Sequence, residues 1–145
     1  MVAASSATRS VDPTLTGRTA LVIEDHPDSR DLLVSVLRSL RAHVIVAQNV
    51  AEAERTMMLA RVHLVICDMK LPDGTGLDFV RWLRSQREPV ATTPCMAVTG
   101  YDRFFPADKV VGVDAYMLKP IDFDKFCSIA VELGNRDPGG ATRRL

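Results

Sequence analysis

Leu64-Val65-Ile66-Cys67-Asp68-Met69-Lys70-Leu71-Pro72-Asp73-Gly74 joins an apolar run to a polar turn, with a single carboxylate, Asp68, at the junction. Four apolar residues in a row, bounded by turn residues, fit a strand covered on both faces. An acid at the end of such a strand usually begins a turn or caps the next helix. Here, however, two other apolar runs end in matching polar groups: Thr19–Ile23 leads into Glu24-Asp25, and Ala115–Leu118 into Lys119-Pro120. Three strand ends therefore carry three acids and a lysine.

Working outward from Asp68, short apolar runs alternate five times with longer amphipathic segments, the pattern of an α/β chain with a parallel sheet. Strands are expected at about 19–24, 43–47, 63–68, 94–99 and 115–119. Leu32, Leu33, Val36, Leu37 and Leu40 recur at helical spacing after the first strand, and Pro27 suits the first turn of that helix. Asn49-Val50-Ala51-Glu52 opens a second helix like a capping box, with Ala53, Met57 and Ala60 on its inward face. Gly74 and Gly76 permit a sharp turn into a third helix striped by Leu77, Val80 and Leu83. Asp122 is the expected N-cap of the last helix, which presents Phe123, Phe126, Ala130 and Leu133 on one face and ends at Gly134-Asn135. Between Thr99 and the fifth strand, Pro106 limits any fourth helix to a short or broken one, with Phe104 and Phe105 packing it down.

A chain of 145 residues is one domain's worth. Its 18 basic and 18 acidic residues cancel, so net charge points to neither nucleic acid nor an anionic membrane. Cys67, Cys95 and Cys127 lack zinc-type spacing, and their odd number argues against a disulfide framework, so a cytoplasmic location is expected. Residues 1–17 read as a flexible N-terminal extension, 18–134 as the folded domain and 135–145 as a disordered tail. Met1 fits a natural start, and the tail is too short for an output domain.

Ligands of open parallel sheets bind beyond the carboxyl ends of the strands. That edge collects Glu24, Asp25, Asp68, Thr99 and Lys119. Three converging carboxylates repel unless a cation neutralises them, and an all-oxygen donor set suits magnesium rather than zinc. A carboxylate beside a divalent cation and a lysine can attack phosphorus, which makes Asp68 the candidate nucleophile. The Gly-x-x-x-x-Gly-Lys-Ser/Thr loop is missing, and Gly74-x-Gly76 is no dinucleotide fingerprint, so the phosphoryl group should arrive on another molecule. Asp73-Gly74-Thr75 faintly suggests a haloacid-dehalogenase-type phosphatase, but Leu71 stands where that motif needs its nucleophilic aspartate. His26, His43 and His63 are read as incidental.

Over residues 18–134 the ordered set Glu24-Asp25, Asp68, Lys70-Leu71-Pro72-Asp73-Gly74, Thr99-Gly100 and Tyr116 to Lys119-Pro120 resembles the receiver domain of bacterial two-component response regulators. The resemblance implies a flavodoxin-like doubly wound (βα)5 fold, with a five-stranded parallel sheet in the order 2-1-3-4-5. It implies phosphoryl acceptance on Asp68 from a sensor histidine kinase or histidine phosphotransfer protein. Mg2+ would be held by Asp25, Asp68 and the Lys70 carbonyl, with Glu24 acting largely through water and Lys119 pairing with the phosphoryl oxygens. Thr99 and Tyr116 would be the switch pair, the Lys119-Pro120 bond would be cis, and phosphorylation could drive homodimerisation. A stand-alone regulator or relay intermediate is the leading expectation. The rivals are part of a larger DNA-binding regulator or hybrid histidine kinase, and a non-phosphorylated scaffold.

Overall fold

The structure, a computed structural model, describes residues 12–100 and 106–136. Five parallel strands form its sheet: β1 (Thr19–Ile23), β2 (His43–Ala47), β3 (Leu64–Cys67), β6 (Cys95–Thr99) and β7 (Ala115–Leu118). Between β3 and β6 lies a small antiparallel hairpin, β4 (Lys70–Leu71) with β5 (Gly74–Thr75). Four helices complete the framework: α1 (Pro27–Ser39), α2 (Val50–Leu59), α3 (Gly76–Arg84) and α4 (Phe123–Gly134). The sheet order β2-β1-β3-β6-β7 is the expected 2-1-3-4-5 once only sheet strands are counted.

Side chains alternate across each strand, so every strand feeds two cores. Ala20, Val22, Leu64 and Ile66 join Leu33 and Leu37 of α1 and Phe126, Ala130 and Leu133 of α4 on one face. Leu21, Ile23, Val65 and Cys67 join Ala53 and Met57 of α2 and Phe79, Val80 and Leu83 of α3 on the other. Burying a large side chain of this kind contributes about 1.5–3 kcal/mol, so both layers hold the strand ends rigidly. Among the described residues no helix is long and apolar enough to cross a membrane.

Several local expectations need correction. Leu32 and Phe123 are not core residues but exposed, because each falls at the solvent border of its helical stripe. Where the fourth helix was expected, the described residues hold only a 3-10 turn, Ala107–Lys109, directly after Pro106; Phe104 and Phe105 lie outside the described residues. The second helix departs slightly from a capping box: Asn49 accepts from the Glu52 N–H, but the Glu52 carboxylate reaches back to Gln48 rather than Asn49. A complete box opens α3 instead, between Thr75 and Asp78.

The extension expected to be flexible through residue 17 packs onto the domain from Asp12 onward. Leu15 is fully buried, its N–H donates to the Leu40 carbonyl at 2.7 Å, and Asn135 donates to the Thr14 carbonyl at 2.9 Å. Gly134 makes room for it, since a Cβ there would come within 2.6 Å of the Leu15 side chain. Asn135, assigned to the tail, thus belongs to the domain. Residues 1–11 and 137–145 lie outside the described residues.

Candidate functional site

Backbone ladder bonds carry three polar residues just past the ends of the strands. Glu24 N–H donates to the Ala47 carbonyl at 3.0 Å, Asp68 N–H to Ile23 at 3.0 Å and Lys119 N–H to Thr99 at 2.8 Å. Each bond extends the sheet by one rung, so the register that buries the apolar runs also aims these side chains. Beyond Asp68, the Gly76 N–H donates to the Met69 carbonyl at 2.9 Å, and a Cβ on Gly76 would collide with the Asp68 carbonyl oxygen. Only glycine admits this approach of α3 to the strand end. The Lys119-Pro120 bond is cis, as the resemblance implies.

Lys119 Nζ lies 2.8 Å from Glu24 Oε1, 3.2 Å from Asp68 Oδ2 and 3.4 Å from Ser29 Oγ. The second oxygen of Glu24 accepts from the His26 N–H at 3.2 Å, and that of Asp68 from the Lys70 N–H at 3.2 Å. Glu24 is buried, with 1% of its surface exposed, and Asp68 is nearly so at 9%. An open cleft of about 360 Å³ lies over them, also lined by Asp25, His26, Ser29 and Lys70.

Burial pushes the Glu24 carboxyl above its usual range; its bond to Lys119 opposes that, while the charge of Asp68 adds to it. Burial alone would lower Lys119, but its hydrogen bond to Glu24 and the charges of both acids outweigh that and raise it. Glu24, Asp25 and Asp68 against Lys119 and Lys70 leave three acids facing two lysines, an excess of negative charge. A further cation is the physical remedy.

The donor chemistry fits magnesium: the carboxylates of Glu24, Asp25 and Asp68 are all oxygen donors, in a cleft open enough for metal-bound waters. Among the described residues no three acids, histidines or cysteines are gathered closely enough to hold an ion with side chains alone.

Of the residues singled out from sequence, Glu24, Asp25, Asp68, Lys70 and Lys119 meet in this cleft. Thr99 and Tyr116 do not line it. Thr99 is buried at the end of β6, paired with Leu118, and Tyr116 is half-buried in β7 against the α2/α3 core. His26, read as incidental, lines the cleft, and Ser29 was missed. The available signal was positional, because the first turn of α1 must abut the strand ends that precede it.

A family model described as "Response regulator receiver domain" matches residues 20–130. Among curated proteins, the response regulator protein PilR of Pseudomonas aeruginosa is 34% identical over 122 residues, covering 82% of this chain but 27% of PilR. The polar-differentiation response regulator DivK of Brucella anthropi is 27% identical, covering 75% of this chain and 89% of DivK. The chain thus spans about a quarter of one relative and most of the other. Among solved structures, the response regulator TrrA of Thermotoga maritima, in complex with Mg2+ and BeF, is 25% identical. Its TM-score is 0.72, over 80% of this chain and 98% of TrrA.

Proposed function

This chain belongs to the response regulator receiver family, and from that membership we propose that Asp68 accepts a phosphoryl group and that the domain signals through the resulting change of conformation. The observation carrying this reading is the single ammonium of Lys119 shared by Glu24 and Asp68 at the floor of an open, acid-rich cleft.

In the proposed reaction a carboxylate oxygen of Asp68 attacks phosphorus, forming the acyl phosphate as the bond from phosphorus to the donor's imidazole nitrogen breaks. The departing imidazole keeps the electron pair and takes up a proton. Bound magnesium supplies positive charge against the transferred oxygens. Asp25, Asp68 and the Lys70 carbonyl are its proposed direct ligands, with Glu24 acting largely through water. Lys119 leaves Asp68 to pair with the phosphoryl oxygens, keeping its contact with buried Glu24. The hydroxyl of Thr99 then follows the phosphoryl group, and Tyr116 turns inward with it, biasing a two-state equilibrium.

The proposed donors are a sensor histidine kinase or a histidine phosphotransfer protein, acting in the cytoplasm. Small phosphodonors should serve in the same way, because the chemistry resides in this cleft. Incubation with Mg2+ and acetyl phosphate, followed by intact-mass measurement, tests the reading. A phosphoryl adduct is expected on the wild type and none on Asp68→Asn; an unmodified wild type, or an adduct surviving the substitution, would sink it.

A further inference from the structure

The loop that follows Asp68 is tied to a second element by a residue to which the proposed reaction gives no part. Asp73 sits in the connection of the β4–β5 hairpin, and its two oxygens accept from the first two N–H groups of α2: Val50 to Oδ1 at 2.7 Å and Ala51 to Oδ2 at 3.1 Å. The first N–H groups of any helix lack partners within it and point toward negative charge. The local cap of α2 satisfies only the third, with Asn49 Oδ1 accepting from Glu52 at 2.8 Å. The other two are left to an acid 22 and 23 residues away in sequence.

Packing follows the same line. A Cβ on Gly74 would lie 3.5 Å from a Val50 methyl, so the hairpin rests against the start of α2. Hydrogen bonds from Val50 and Ala51 hold the Asp73 carboxyl below its ordinary range, so it is ionised at neutral pH. At the other end of the same short hairpin, Lys70 pairs with Thr75 and its N–H donates to Asp68 Oδ1.

We propose that Asp73 is a positioning residue: by clamping the hairpin to the N-terminus of α2 it fixes the Lys70 carbonyl for the metal, and so couples metal binding in the cleft to α2. The proposal rests on the reading of the cleft as a magnesium site. Linkage makes the coupling reciprocal, so whatever displaces the start of α2 weakens the metal by the factor with which the metal holds α2 in place. Groups that orient a metal's ligands change affinity by about 10- to 100-fold when removed, and one clamp on a hairpin already pinned at its base belongs at the lower end.

The test is Mg2+ titration of the full chain by calorimetry and by amide NMR. In the wild type the Val50 and Ala51 amide resonances should move in step with Mg2+ binding. Asp73→Ala should weaken Mg2+ about tenfold and remove that response. Asp73→Asn, which keeps one acceptor oxygen, should recover part of the affinity. Asn49→Ala removes a cap from the same helix without touching the hairpin, so it controls for helix destabilisation and should keep wild-type affinity. Equal Mg2+ affinity in Asp73→Ala and wild type overturns the proposal, as does an equal loss in Asn49→Ala. A wild type that binds no Mg2+ overturns the magnesium reading itself and the proposal with it.

Discussion

Two charged networks sit at opposite edges of the same sheet, and they are built on opposite principles. At the carboxyl edge, Lys119 is shared by Glu24 and Asp68, with Asp25 alongside and an open cleft above. At the amino edge, Arg84 at the end of α3 donates to the Gly112, Ala91 and Thr93 carbonyls at 2.8, 2.9 and 2.7 Å and to Asp114 at 3.1 Å. Asp114 in turn accepts from the Cys95 N–H at 2.9 Å and from Arg136 at 3.2 Å. The amino-edge network directs three of its bonds to main-chain carbonyls and the other three to the Asp114 carboxylate. The carboxyl-edge network keeps an excess of negative charge beside solvent. Saturation marks a structural staple, and uncompensated like charge beside a cleft marks a place where chemistry can happen.

The comparison breaks first if the staple proves dispensable. Arg84→Ala removes four bonds linking α3, the turn before β6 and the start of β7, and should cost about 3 kcal/mol in urea unfolding. The folded fraction should still take a phosphoryl group. A near-wild-type urea midpoint would erase the distinction between the two edges.

Removing the lysine tests the other side. Lys119→Ala leaves buried Glu24 facing Asp68 without a counter-charge and should cost about 2 kcal/mol in metal-free buffer. Added Mg2+ should restore much of that loss and stabilise the variant more than the wild type, read as a thermal shift. A loss indifferent to Mg2+ would make Lys119 a staple like Arg84.

Glu24→Gln should change stability at neutral pH by about 1 kcal/mol or less, because an ionised buried acid is itself costly. The sign of its pH dependence is definite. With the folded pKa above the ordinary 4.5, Glu24 contributes stability that is fully present below that value and lost as pH rises through the raised one. Wild-type stability relative to Glu24→Gln should therefore fall as pH rises from 4.5, measured by urea midpoints. A relative rise would contradict the assigned burial effect. The smallest structural effect belongs to Thr99→Ala, which should leave phosphorylation largely intact while reducing the NMR shift of Tyr116 on activation; equal shifts would separate Thr99 from the switch.

Both edges draw on residues far apart in sequence, yet only one was legible there. The apolar runs announced the strands, and Glu24, Asp68 and Lys119 each follow such a run directly, so periodicity carried these three together, whereas Ser29 in the first turn of α1 follows no such run. Arg84 and Asp114 are separated by 30 positions, and most of Arg84's partners are backbone carbonyls, which leave no mark in residue type. The Asp73 clamp was hidden for the same reason, its partners being main-chain N–H groups of α2. Leu15 stood alone among polar neighbours, where no period can form, and its burial depends on the notch at Gly134 across the fold. Phe123 erred the other way: hydrophobicity and helical spacing suggested the core, but at the first position of α4 it is exposed at the border of the buried stripe formed by Phe126, Ala130 and Leu133.

Locating the phosphoryl group within the chain tests the contrast between the edges most directly. The wild type is treated with Mg2+ and acetyl phosphate, the acyl phosphate is reduced with borohydride, and the peptides are sequenced by mass spectrometry. The open, acid-rich edge predicts a reduced side chain at Asp68 alone, dependent on Mg2+. Modification at Asp114, at Glu24 or at a histidine, or none at Asp68, would contradict it.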